Sequence, residues 1–101
     1  MNIKHAQYML TVMQEGSITA AAKKLYISQP SLSQMIKLVE TNLGTAIFNR
    51  STDPITLTYA GEKYIEAAKQ ILTINNNLQK EIDEINHEDH GCLKLGIPVQ
   101  R

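Results

Sequence analysis

The sequence has few of the residues that stabilise small proteins through covalent bonds or metals. Its 101 residues include one cysteine, Cys92, one phenylalanine and no tryptophan. A single cysteine excludes an intrachain disulfide and a cysteine-rich zinc site. His87 and His90 have no further ligand cluster beside them, so we expect a solvated helix end there and no metal or other cofactor in this chain.

Long hydrophobic runs are also missing. The apolar stretches fall far short of the roughly 20 residues that cross a bilayer, and residues 1–5 contain no signal-peptide core. The sequence therefore predicts a cytoplasmic protein with no membrane partner. Its length suits one small domain with an extension.

The charge balance is neutral overall but uneven along the chain. Residues 1–60 carry five lysines and arginines against three acidic residues, a net charge of +2. Residues 61–101 carry five against seven, a net charge of −2. This mild asymmetry permits contact with nucleic acid without requiring it, because phosphate binding depends on local Lys and Arg side chains.

Apolar residues at helical spacing predict three helices in the first half of the chain. The first covers about residues 3–14 and is stopped by Gly16, and Ser17 is placed to cap the second. The third begins at a Ser28 cap and stops at Gly44. The residues expected to face the core are Ile3, Ala6, Met9, Leu10 and Met13, then Ile18, Ala21, Ala22 and Leu25, then Leu32, Ile36, Val39 and Leu43.

Only Tyr26 and Ile27 separate the second helix from the Ser28 cap. Two helices joined by so short a turn form the helix-turn-helix arrangement, whose second helix enters the DNA major groove. The outward face of this helix is polar and carries little charge, which favours a contact surface slightly over a merely solvated one. That face comprises Pro30, Gln34, Lys37 and Thr41, flanked by Gln29 and Ser33.

Two short alternating segments, 47–50 and 55–58, surround the turn-forming residues 51–54 and predict a small hairpin, or wing. Thr58 can cap a final helix that continues to about Glu88. Thirty residues at about 1.5 Å each give a rod of roughly 45 Å, too long for a small domain to bury along its whole length.

The long helix carries a stripe at coiled-coil spacing, which predicts dimerisation. An alternative is that the stripe docks on the chain's own globular part, and the pattern leaves a parallel and an antiparallel pair equally open. Beyond the helix, residues 92–97 alternate like a strand with no partner strand, and we expect them to begin a second domain. The predicted dimerisation residues are Tyr64, Ala68, Ile71, Asn75, Leu78, Ile82 and Ile85.

Several motifs in register make residues 1 to about 97 resemble the N-terminal part of a LysR-type transcriptional regulator. The matching segments include Gly16 to Ala22, Ile27 to Ser33, Leu43-Gly44, Arg50 and Leu57 to Gly61. The resemblance implies a mainly α fold: a winged helix-turn-helix domain at 1–58, a linker helix at 59–89 that pairs antiparallel, and a hinge with a first strand at 90–101. It also implies an effector domain beyond this chain that binds a small co-inducer, and assembly on promoter DNA as a dimer of dimers.

The resemblance further implies which residues touch double-stranded DNA. A glutamine amide can bond adenine in two places, and lysine, arginine and hydroxyl groups can bind phosphates. The residue types at the implied positions therefore fit contact with DNA. Arg50 in the wing would reach the minor groove or a phosphate. The full implied set is Thr19, Ser28, Gln29, Pro30, Ser31, Ser33, Gln34, Lys37, Arg50 and Thr52.

The sequence departs from the family pattern in two places. Gln34 stands where arginine is frequent, and the wing, often more basic, contains Asp53 and Pro54. Both departures predict a smaller electrostatic share of DNA binding. A protein-interaction module remains an alternative function, because winged helices also bind proteins. An enzyme has almost no support, because no nucleophile-base pair or phosphate-binding glycine loop is evident.

Overall fold

The computed structural model describes residues 1–88, so the strand predicted at 92–97 lies outside the described part. The order of elements confirms the mainly α, winged helix-turn-helix fold. None of the helices in the described part is both long and apolar enough to cross a membrane. The elements are α1 (Ile3–Glu15), α2 (Ile18–Leu25), α3 (Gln29–Leu43), β1 (Phe48–Asn49), β2 (Thr56–Leu57) and α4 (Tyr59–Glu88).

Side-chain caps begin the helices at the positions where hydroxyl residues were expected. Ser17 accepts from the backbone N–H three residues later at 3.1 Å, and Ser28 does so at 3.2 Å. Thr58 accepts in the same way at 2.9 Å. Asn2, which the sequence pattern did not single out, caps α1 through the Lys4 N–H at 2.8 Å. Each cap satisfies an N–H that the helix itself leaves unpaired.

Left-handed residues end the first three helices. Gly16 (φ 71°) and Gly44 (φ 78°) confirm the predicted helix stops after α1 and α3. Tyr26 adopts φ 58° at the end of α2, which the sequence did not indicate because tyrosine rarely occupies this region. The resulting bend turns the chain directly into α3.

The core lies where α1, α2, α3 and the first turns of α4 meet, and segment 47–48 closes it. Leu43 is a correction: it was expected in the core stripe but is 52% exposed, because it is the last residue of α3 and lies at the rim of the packed region. Leu10 and Met13 are only partly buried, and Val12 is fully buried instead. The buried residues are Ala6, Met9, Val12, Ala21, Ala22, Leu32, Ile36, Val39, Ile47, Phe48, Tyr64, Ile65 and Ala68.

The long helix α4 is divided between two environments. Its first three turns pack on the domain, and this buries Tyr64 and Ala68 within the same chain. Both were predicted to face a partner, and the structure corrects this, because side chains buried in their own domain are not available to a second chain. From residue 73 to residue 87 every residue of α4 is exposed.

The wing is a minimal antiparallel hairpin that pairs Phe48 with Leu57 and Asn49 with Thr56. At its base the Thr58 N–H donates to the Ile47 carbonyl at 2.9 Å. Further out, the Ile55 N–H donates to the carbonyl of Gly16 at 2.9 Å. The wing is thus attached to the start of α4 and to the end of α1.

Candidate nucleic-acid interface

The helix-turn-helix is formed by α2, a turn at residues 26–28, and α3. The Ile27 N–H donates to the carbonyl of Ala22 at 3.0 Å, which keeps the turn tight. Buried Ala21 and Ala22 let α2 approach α3 closely, because alanine adds little bulk between two helices. Since α3 buries one face against α1 and α2, its opposite face is directed away from the protein.

The outward face of α3 is exposed as the pattern predicted. Within residues 1–88, the side chains of Gln29, Gln34 and Lys37 make no hydrogen bond or ion pair, so their donors and acceptors are available to a partner. Ser33 is half-buried on the flank. The exposed residues of this face are Gln29, Pro30, Ser31, Gln34, Lys37 and Thr41.

Two serines at the start of α3 have different roles. The Ser28 Oγ accepts from the Ser31 N–H at 3.2 Å and donates its own proton to the Ser31 Oγ at 2.8 Å. Ser28 is therefore engaged in capping. Ser31 keeps its hydroxyl proton for an acceptor outside the protein, so of the two predicted contacts Ser31 is the better placed donor.

The cations near this face are few. Lys37 is an exposed cation on α3. Thr19, the other residue expected to bind a phosphate, is uncharged and exposed at the start of α2. Lys24, at the end of α2, is paired with Glu15 of α1 at 3.3 Å. Tyr26 was treated only as a turn residue in the sequence, yet it is 94% exposed two residues before Ser28. The sequence offered no signal for this exposure or for the left-handed backbone of Tyr26.

The wing presents one cation and one anion. Arg50 has a side chain that is 41% exposed and forms an ion pair with Glu40 of α3 at 3.4 Å. Asp53 is exposed in the turn. The Thr52 hydroxyl donates to the Asn49 carbonyl at 3.0 Å, so this predicted contact residue also stabilises the turn. The wing therefore adds little net charge to the interface.

Away from the polar face of α3, a cavity lies between α1, the end of α3 and α4. This cavity of about 410 Å³ is lined by Asn2, His5, Val39 and Tyr64, among others. The Tyr64 hydroxyl is buried and has no hydrogen-bond partner within the described residues. Burial raises the pKa of Tyr64 above 10.0.

Among residues 1–88, no three His, Cys, Asp or Glu side chains converge as a metal site would require.

A helix-turn-helix with an exposed polar second helix and a two-stranded wing defines the winged helix-turn-helix class of DNA-binding folds. The model of the family described as "Bacterial regulatory helix-turn-helix protein, lysR family" matches residues 3–62. The chain belongs to this family, which confirms the resemblance seen in the motifs.

Individual relatives agree with this assignment. The chain is 39% identical over 100 residues to the HTH-type transcriptional regulator BsdA of Bacillus subtilis, covering 98% of this chain and 34% of BsdA. The BenM DNA-binding domain, solved in complex with catB site 1 DNA, has a TM-score of 0.81 and 31% identity over 85% of this chain and 97% of its own. Full-length LysG of Corynebacterium glutamicum, solved with bound effector Arg, has a TM-score of 0.80 and 28% identity over 87% of this chain and 30% of LysG.

Proposed function

We propose that this chain is the DNA-binding and dimerisation part of a transcription regulator that binds double-stranded DNA with sequence specificity. The observation that carries the proposal is the outward face of α3, where Gln29, Gln34 and Lys37 are exposed and unbonded within the described residues. A polar helix face of this kind fits the major groove. The similarity to the BenM domain, which was solved in complex with DNA, supports DNA binding by this chain.

The side chains of α3 divide between bases and backbone. Gln29 and Gln34 each offer an amide that bonds adenine in two places, and the Pro30 ring offers an apolar surface to a thymine methyl. Lys37 and Thr19 would bind phosphates, which fix register without reading sequence. Specificity then depends on amides and hydroxyls more than on charge.

A homodimer through the exposed part of α4, residues 73–87, completes the proposal. At about 100° per residue, Ile74, Leu78, Ile82 and Ile85 fall within an arc of about 80° on one side of the helix, and Asn75 lies just outside this arc. Ile74 is 68% exposed and belongs to the stripe, although the sequence series placed Asn75 there. With Tyr64 and Ala68 buried, the proposed interface consists of Ile71, Ile74, Asn75, Leu78, Ile82 and Ile85.

The remaining proposals concern the whole protein, since the chain spans 34% of the length of BsdA. We expect a separate effector domain with a small co-inducer, a dimer of dimers on the promoter, and a cytoplasmic location. LysG with its bound effector supports the co-inducer by analogy. The chemical class of the co-inducer would be set by residues outside this chain.

The test is binding to the duplex upstream of the protein's own gene. Footprinting should show protection of two half-sites, and a shuffled duplex of equal composition should bind about 10³-fold more weakly or worse at physiological salt. Equal affinity for the two duplexes would contradict the proposal and favour the protein-interaction module. Sedimentation of the complex gives the number of chains per site.

A further inference from the structure

Glu40 joins α3 to the wing through a single carboxylate. Its Oε2 accepts the backbone N–H of Ile47 at 2.8 Å and that of Phe48 at 3.3 Å. Its Oε1 accepts from the Arg50 guanidinium at 3.4 Å. Bonds to an ionised acceptor are stronger than neutral ones. The Glu40 side chain thus forms hydrogen bonds with three of the four residues of segment 47–50.

Burial of Ile47 and Phe48 in the core holds the base of the wing, and beyond it few hydrogen bonds fix the direction of the wing relative to α3. The hairpin has two residue pairs, and a hairpin of this size has marginal stability alone. Its other attachments run to Thr58 and to Gly16, neither of which lies on α3. Within residues 1–88, Glu40 supplies every hydrogen bond between α3 and segment 47–50.

Arg50 retains free donors while it is held. A guanidinium has five N–H donors, and the contact with Glu40 uses one nitrogen. The Arg50 side chain is 41% exposed, whereas that of Glu40 is 17% exposed. The carboxylate is therefore on the protein side of the pair, and the guanidinium is open to solvent. Lys37 lies three residues before Glu40 on the same helix, so the free donors lie near the cationic part of α3.

The geometry points to Glu40 as a positioning residue for DNA binding. Its carboxylate holds Arg50 beside the second half of α3, so that the free guanidinium donors bind a backbone phosphate of the duplex that α3 enters. This inference rests on the proposed function. It assigns Arg50 to a phosphate, because a cation held beside α3 is held near the edge of the groove that α3 occupies.

The test compares two variants that remove the same charge. Glu40→Gln keeps an acceptor for the backbone N–H groups but loses the charge that orients Arg50. Glu15→Gln removes the carboxylate of the Glu15–Lys24 pair, away from the wing. Without positioning, both variants would bind DNA as tightly as wild type or more tightly, because each removes a negative charge from the protein.

If Glu40 positions Arg50, the Glu40→Gln variant should bind the duplex protected in footprinting about tenfold more weakly than wild type. The slope of log affinity against log salt also falls by about 0.9 per protomer, the contribution of one phosphate contact. A purely structural role would not change that slope. Glu15→Gln, with Lys24 released, should show neither loss.

A double-mutant cycle tests whether Glu40 acts through Arg50. In an Arg50→Ala background, Glu40→Gln should weaken binding no further than about twofold. Binding by Glu40→Gln that matches Glu15→Gln, or a loss that persists in full without Arg50, would overturn the inference. If thermal melts show that Glu40→Gln is unfolded, Arg50→Ala alone decides, and an unchanged salt slope refutes the phosphate contact. Failure of the wild-type chain to bind any duplex would instead refute the proposed function.

Discussion

Gly61 in the first turn of α4 lies directly against the carbonyl of Ile47. A Cβ added at Gly61 would overlap the Ile47 carbonyl oxygen and lie 2.9 Å from the carbonyl carbon. The same carbonyl accepts the Thr58 N–H at 2.9 Å. The close approach of α4 to the base of the wing therefore requires a residue without a side chain.

Replacing Gly61 by alanine should destabilise the fold by about 1–3 kcal/mol, because the backbone of Ile47 must move. Helix propensity alone predicts the opposite sign, a gain of about 1 kcal/mol. Urea denaturation measures the difference. Gly44→Ala is the control, since open space surrounds Gly44 and only its positive φ opposes the change. A stabilised Gly61→Ala variant would show that the approach is looser than described.

Gln29 and Lys37 should respond differently to truncation. Gln29→Ala should cost about 1–3 kcal/mol on the cognate site and relax preference at one base position. Lys37→Ala should weaken all duplexes evenly and lower the salt slope by about 1 per protomer. Fluorescence anisotropy with cognate and single-substituted duplexes separates the two effects. Equal losses on every duplex for both variants would refute the assignment of Gln29 to a base.

Salt should affect DNA binding less than is usual for such regulators. Gln34 supplies no charge, and Asp53 offsets Arg50 in the wing. The slope of log affinity against log salt should be smaller in magnitude than about 9, the value for ten phosphate contacts per dimer. Gln34→Arg should tighten binding and steepen the slope by about 0.9 per protomer if the new cation meets a phosphate. A wild-type slope of 9 or more in magnitude contradicts the prediction.

Leu78→Asp should dissociate the proposed dimer. Leu78 is exposed in the middle of the free apolar stripe of α4, and a carboxylate there would be buried unpaired on association. We expect the dissociation constant of the dimer to rise about 100-fold or more. Asn76→Asp makes the same charge change on the opposite side of the helix and should leave association intact. Sedimentation equilibrium gives both constants, and equal effects would exclude the stripe as the interface.

Tyr64 should make stability fall at high pH. Its folded pKa is raised above 10.0 by burial, so above pH 10 the unfolded chain releases the proton more readily than the folded one. The free energy of unfolding then falls as pH rises from 10.0 through the raised pKa. Tyr64→Phe should lack this component and, having lost an unbonded buried hydroxyl, should be no less stable at pH 7. Parallel stability curves for the two proteins between pH 8 and pH 11 would contradict the prediction.

Local chemistry made much of the first half predictable. The caps at Ser17, Ser28 and Thr58 and the stops at Gly16 and Gly44 depend on a few neighbouring residues, and all five were confirmed. The polar face of α3 was equally visible, because helical periodicity alone separates it from the buried stripe. The left-handed Tyr26 was not predictable, since the residue type argues against that backbone.

Packing partners were harder to predict. Leu43 fits the stripe of α3 by spacing, yet it is 52% exposed at the end of that helix. The stripe of α4 satisfies one periodicity while it faces two environments, the domain at Tyr64 and Ala68 and solvent from residue 73 to residue 87. Periodicity identifies a face of a helix and carries no information about what covers it.

The amino-acid sequence by itself determined the helices, their ends, the polar face of α3 and the family, because caps, turns and periodicity act over a few residues. Only the tertiary structure decided that Glu40 bonds the wing and Arg50, and that Gly61 must lack a side chain. It also decided that the first turns of α4 pack on the domain while residues 73–87 are exposed. Each of these depends on atoms brought together from distant positions in the chain, where spacing along the sequence carries no geometric information.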